Sequence, residues 1–274
     1  MEGEDLAALL ERPDDKIDLG RAAFLLARTE YPKLDLDAEL ARLDHLAAQA
    51  EPYMKSGTAA PARLDGLRCF LAEVCGFRGN EEDYYDPRNS FLNLVLDRRT
   101  GIPITLCVVY IEIGRRLGIP LYGVGLPGHF LVKYQDAHSR LFLDPFRSGR
   151  TVTLADCREI VLRMYQGQVQ FREGFLAAVD KRYILLRMLN NLRGIYLQSR
   201  QYRKALRVVE MTLAINPASG EDLKLRGVIH YRLHNHKLAR QNLEAYLLQN
   251  PEASDAEEVK QTLTELKRVS AMLN

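Results

Sequence analysis

GIPITLCVVYIEIGRRLGIPLYGVGLPGHFLVKYQDAHSRLFLDPF, residues 101–146, is the stretch whose reading decides the fold. ITLCVVYIEIGRRLGI (104–119) is an apolar run that closes at Gly118 with Pro120 just beyond, the stop signal of a helix. Pro103 stands before it, and its fixed φ suits a first helical position. GVGLPGHFLVKY (123–134) and RLFLDPF (140–146) read as strands, and DAHS (136–139) as the turn between them. A hairpin centred between Asp136 and Ala137 pairs residues whose numbers sum to 273, which sets His129 opposite Asp144. Directly opposed residues have Cβ atoms about 4.5–5.5 Å apart, close enough for a carboxylate to hold an imidazole by its ring N–H. Such a pair is two thirds of an acyl-transfer triad, and the open question is the nucleophile.

Working outward, residues 4–55 show apolar positions at three- and four-residue steps and predict helices. KSGTAAPA (55–62) predicts a loop, with Pro61 at a helix start, and ARLDGLRCFLAEVCGF predicts a helix that closes near Gly76. NEEDYYDPRNS (80–90) is polar and turn-rich, and SFLNLVLDRR (90–99) predicts a short helix. Residues 151–178 read as mixed and mostly helical.

The C-terminal part repeats itself. Tyr202 and Ala205 recur as His236 and Ala239, Val209 as Leu243, Leu213 as Leu247, and Asn216-Pro217 as Asn250-Pro251, every offset being 34 residues. That period resembles the tetratricopeptide repeat, a helix–turn–helix unit. The small alanines let paired helices approach closely. Gly227 is the small residue of the second unit's first helix, and Arg193 stands at the matching position of the first, a departure. Two repeats are expected, about 186–219 and 220–253, with a closing helix over 254–272.

Bulk properties narrow the classes. The 274 residues are 47% hydrophobic and 27% charged, with a net charge of +2, which argues against a dedicated nucleic-acid binder. No apolar run approaches the roughly 20 residues of a membrane span. The acidic start has no secretory pattern. Cys69, Cys75, Cys107 and Cys157 form no zinc spacing, so reduced thiols in a cytoplasm are expected. Charge is polarised, with 13 acidic and 7 basic side chains in residues 1–60, against 4 and 13 in residues 181–250.

NSFLNLVLDRRTGIPITL and PGHFLV, with the LGIP turn and the Asp-Pro of LFLDPF, resemble the transglutaminase-like superfamily. More narrowly, they are similar to the bacterial SirB-type family, which often carries tetratricopeptide repeats. The resemblance implies an α+β fold: a helix-rich transglutaminase/papain-like core with a small antiparallel sheet over residues 1–180, then an all-α repeat segment over 181–274. It implies catalytic roles for a cysteine opening the helix, a His at the next strand and an Asp before a Pro. His129 and Asp144 match the last two. The first position falls on Pro103, which carries no nucleophile. Cys107 lies one turn further along, about 5–6 Å down the axis, and reads either as a displaced nucleophile or as a small buried hydrophobe.

The leading reading is a scaffold without classical thiol catalysis, a pseudoenzyme acting through protein or peptide binding. The competing one is a cysteine-dependent hydrolase or acyltransferase using Cys107, His129 and Asp144. Asn190, Lys224 and Arg232 are expected on the peptide-binding face of the repeats, and the basic charge suggests an acidic partner. His230 and His234 have helical metal-ligand spacing but no third ligand nearby, so no metal is expected. Gly123, Gly125 and Gly128 precede a strand and open no helix, so no phosphate cradle and no cofactor is expected. Arg98, Arg99 and Arg147 lie near the motif segments and suit an anionic substrate.

Overall fold

The computed structural model describes residues 6–54 and 60–272, so the first five residues and residues 55–59 of the expected loop lie outside the described residues. The chain divides into two compact units, Met1–Met188 and Leu189–Asn274.

In the first unit, α1 (Leu6–Leu10), α2 (Leu19–Ala27), α3 (Leu36–Ala50) and α4 (Ala60–Arg68) come first. The helix expected over 62–77 instead continues past Arg68 as a π-helical turn, Cys69–Val74, and ends at Gly76 with φ +75°. The short parallel strands β1 (Arg78–Gly79) and β2 (Thr100–Gly101) flank α5 (Leu92–Arg98). α6 (Pro103–Arg116) then forms the centre of the unit: every residue from Pro103 to Gly114 is buried. A helix apolar on all sides belongs in a core, and each large aliphatic side chain buried there contributes about 1.5–3 kcal/mol. Its one buried charge, Glu112, is met by Arg115 at 3.1 Å and Arg116 at 2.6 Å.

Four antiparallel strands follow in simple meander order: β3 (Leu121–Val124), β4 (Leu131–Gln135), β5 (Arg140–Asp144) and β6 (Arg150–Val152). α6 packs on β3 and β4. α7 (Leu154–Met164) joins its Cys157, Ile160 and Val161 to Leu131, Phe142 and Val152 of the sheet. With helices on both faces, β4 has no wet side, which is why LVKY does not alternate.

Two expectations about this sheet are corrected. GVGLPGHFLVKY is two strands, because Pro127 lacks an N–H to donate and Gly128 turns the chain with φ +75°. The hairpin register also differs. Val132 pairs with Leu143 and Gln135 with Arg140, so paired numbers sum to 275. The turn is held by the Asp136 N–H on the Ser139 carbonyl, and the Asp136 carboxylate accepts from the His138 and Ser139 N–H groups. His129 therefore sits outside the ladder, diagonal to Asp144.

The second unit takes most of α8 (Lys181–Gln198), whose start is capped in the first unit by Asp14 accepting from the Lys181 N–H at 2.9 Å. α9 (Tyr202–Ile215), α10 (Gly220–Arg232), α11 (His236–Gln249) and α12 (Ala256–Met272) follow. Arg200 and His234, 34 residues apart, both adopt the left-handed conformation in the turns between paired helices. Ala205 and Ala239 are fully buried, and a Cβ on Gly227 would lie 2.8 Å from Leu243. Arg193, the departure from the repeat, reaches the first turn of α10, where it pairs with Asp222 and with Glu221.

Candidate functional site

Three segments converge. The first is the start of α6. The Asn89 carbonyl accepts from Thr105 Oγ1 at 2.7 Å and from the Ile102 N–H, so the loop 80–90 is tied to the helix opening. Asn89 also donates to the carbonyls of Asp83 and Tyr84, which holds that loop in shape.

The second is the turn 125–130. The His129 N–H donates to the Leu126 carbonyl at 2.9 Å, and this turn presents the imidazole. Gly128 is required twice over: its φ is positive, and a Cβ there would lie 2.8 Å from that of Met164.

The third is the end of β5. Asp144 is 1% exposed, and its Oδ1 accepts from the N–H groups of Phe146 and Arg147, capping the short helical turn Pro145–Arg147. Its Oδ2 lies 2.9 Å from His129 Nε2. A carboxylate only accepts, so Nε2 donates, and in the tautomer with its one proton there Nδ1 is left as an acceptor. The His129 side chain is 12% exposed.

An aromatic chain backs the pair. Phe146 meets His129 edge-on at 6.2 Å between centroids, Tyr84 meets Phe146 at 6.0 Å, and Tyr85 meets Tyr84 at 5.4 Å. Phe146 lies so flat on Gly79 that a Cβ there would be 2.5 Å from its ring. Sequence reasoning did not single out Phe146 and Tyr84. Only their positions beside Asp144-Pro145 and inside the turn-rich loop hinted at them.

Cys107 is fully buried, and its thiol donates to the Phe130 carbonyl at 3.6 Å, the residue after His129. Burial pushes the thiol well above its ordinary pKa, and the Asp144 charge adds to the shift. Both effects oppose the thiolate that acyl transfer needs. Pro103 is the first residue of α6, and a proline ring offers no nucleophile.

Of the residues expected on the repeat surface, Asn190 and Arg232 are exposed. Lys224 is not a free cation: its ammonium pairs with Asp255 at 2.5 Å and lies over the Tyr246 ring. His230 and His234 do not share a helix face, because α10 ends at Arg232 and His234 lies in the turn beyond. His230 is buried beside Asn235, and burial, then the Arg226 charge, lowers its pKa. Among the described residues no group of three His, Cys, Asp or Glu side chains gathers as metal ligands, and no helix is long and apolar enough to cross a membrane.

A His–Asp pair with a buried aspartate beside a core helix, followed by helical repeats, defines a class, and comparison with known proteins agrees with it. The transglutaminase-like superfamily matches residues 37–190, more than half of the chain, and a tetratricopeptide repeat family matches residues 192–264. The chain belongs to the transglutaminase-like superfamily. Within it, the UPF0162 protein of Xylella fastidiosa (strain 9a5c) is 36% identical over 260 residues, covering 92% of this chain and 91% of that protein. The UPF0162 protein of Pseudomonas aeruginosa is 31% identical over 248 residues, 90% of each chain. F-box only protein 21 of Mus musculus is 28% identical over 181 residues, which is 62% of this chain and 28% of that protein. No solved structure matches the chain.

Proposed function

We propose that this protein is a binding scaffold in which the transglutaminase-like domain, residues 1–180, has no thiol acyl-transfer chemistry and the repeats, residues 181–274, engage a protein or peptide partner. The observation that carries the first half is the opening of α6. Pro103 stands where the resemblance places the nucleophile, and the helix's one thiol, Cys107, is buried and bonded to a backbone carbonyl. Tetratricopeptide repeats generally mediate protein–protein contacts, which supports the second half. The excess of basic side chains in residues 181–250 favours an acidic partner, with Asn190 and Arg232 as exposed contact residues and Lys224 contributing through its fixed position beside Asp255.

The competing reading, a hydrolase or acyltransferase using Cys107, His129 and Asp144, is favoured by one observation. The Nε2–Asp144 bond leaves Nδ1 open toward a reacting group. A single experiment separates the two. The purified chain and its Cys107→Ala variant are assayed against thioester and glutamine-peptide substrates, with labelling by iodoacetamide at neutral pH. The scaffold reading expects no turnover and no labelling of native Cys107. Turnover lost in Cys107→Ala overturns it. For the repeats, an acidic peptide array should lose binding on Arg232→Glu; binding indifferent to that charge reversal counts against the acidic partner.

A further inference from the structure

Beyond Phe146 from the dyad lies a cavity of about 790 Å³, in the size range of small-molecule sites. Its walls are polar and carry both signs of charge. Arg78 on β1, Arg88, Arg98 at the end of α5 and Arg147 after Asp144 supply four guanidinium groups from four segments. Glu81, Glu82 and Asp83 supply three exposed carboxylates from one short turn.

The arginines are under-neutralised. Arg88 and Arg98 share one carboxylate, Asp86, at 2.9 and 3.2 Å. Burial alone would raise Asp86, but the Arg88 hydrogen bonds and both charges outweigh it and hold the carboxyl below its usual range. Arg147 lies 3.9 Å from an Asp144 oxygen already committed to His129. Arg78 has no ion-pair partner among the described residues. The walls are also preset. Arg98 is held on Asn89 at 3.2 Å, and the Asp83 N–H on the Asn80 side chain closes the acidic turn at 3.1 Å. Guanidinium groups suit carboxylates through paired N–H bonds. A polyanion would meet the three acids of the turn, whereas a ligand with one charge of each sign finds a partner for each among the lining residues.

The geometry points to a binding site for a small zwitterion, a free amino acid or short peptide, with its carboxylate on the arginines and its ammonium on the 81–83 turn. The site is independent of whether Cys107 reacts, so it stands or falls apart from the scaffold reading.

Calorimetric titration of the full chain tests it with named probes: alanine, alanyl-alanine, the N-acetylated and C-amidated dipeptides, and inorganic phosphate. Both unmodified zwitterions should bind, and their ratio tells amino acid from peptide. Each capped dipeptide should bind at least about ten-fold more weakly, the scale of one lost charge-assisted contact. Arg147→Gln and Arg78→Gln should weaken alanyl-alanine by about the same factor. Arg78 loses no internal ion pair, so that variant keeps the test valid if Arg147→Gln disturbs the fold, as circular dichroism would reveal. Equal binding of capped and free dipeptides, tighter binding of phosphate, no zwitterion binding at 10 mM probe, or indifference to both substitutions overturns the proposal.

Discussion

Replacing Asp144 with alanine separates what this carboxylate holds from what surrounds it. In the folded chain Oδ1 caps the turn Pro145–Arg147 and Oδ2 accepts the hydrogen bond from His129 Nε2. Loss of a capping oxygen costs about 0.5–2 kcal/mol. A buried donor left without a partner costs about 1–3 kcal/mol, and His129 is nearly buried. Together the first unit should lose roughly 2–4 kcal/mol. For a unit of this size that lowers the melting temperature by about 5–15 °C. Asp144→Asn keeps the cap and can donate from its amide, so the imidazole switches tautomer to accept at Nε2 and the cost drops to about 1 kcal/mol. The assay is urea unfolding of the full chain followed by near-ultraviolet circular dichroism, since the chain has 13 Tyr and no Trp. Nitrogen NMR of His129 reports the tautomer. An alanine variant within 0.5 kcal/mol of the parent, or an asparagine variant as weak as alanine, would refute the reasoning.

Cys69 and Cys75 are partly exposed while Cys107 and Cys157 are buried, so thiol titration should find two reactive groups in the native chain and four after unfolding; a third fast thiol contradicts the burial. Gly79→Ala forces the Phe146 ring away and should cost about 1–3 kcal/mol by overpacking, against a negligible cost if the ring can simply slide. His230 is held below its ordinary 6.5 by burial first and then by Arg226, so the unfolded chain takes up its proton first as pH falls. Its stabilising contribution is therefore present above pH 6.5 and lost below it. An NMR titration midpoint at or above 6.5 for His230 would reverse that sign. Lys224→Ala breaks the Asp255 pair and the contact with Tyr246 and should lower repeat stability by about 1 kcal/mol; the charge-swapped Lys224→Asp, Asp255→Lys double variant should recover part of it.

Much of the fold was legible because it is written in local periodicity. The 34-residue offsets placed the paired helices, and the same period reappears in the left-handed turns at Arg200 and His234. The apolar run after Pro103 announced a core helix. The strands were harder, since β4 is buried on both faces and lacks the alternation that marks a strand edge, and the break at Pro127-Gly128 lay inside an otherwise apolar run.

The sequence by itself determined which residues were available: a histidine and an aspartate flanking a turn, a proline where a nucleophile belongs, a thiol one turn on. Tertiary structure decided which of them meet. Asp136 folds the hairpin two residues out of the simple register, yet the turn at Gly128 swings His129 back so that its Nε2 reaches Asp144 diagonally. Cys107 went to the Phe130 carbonyl and full burial, and Lys224 to Asp255. Side-chain meetings across 15 to 31 residues of chain depend on turn geometry and packing volume, and neither is a property of any local window of sequence.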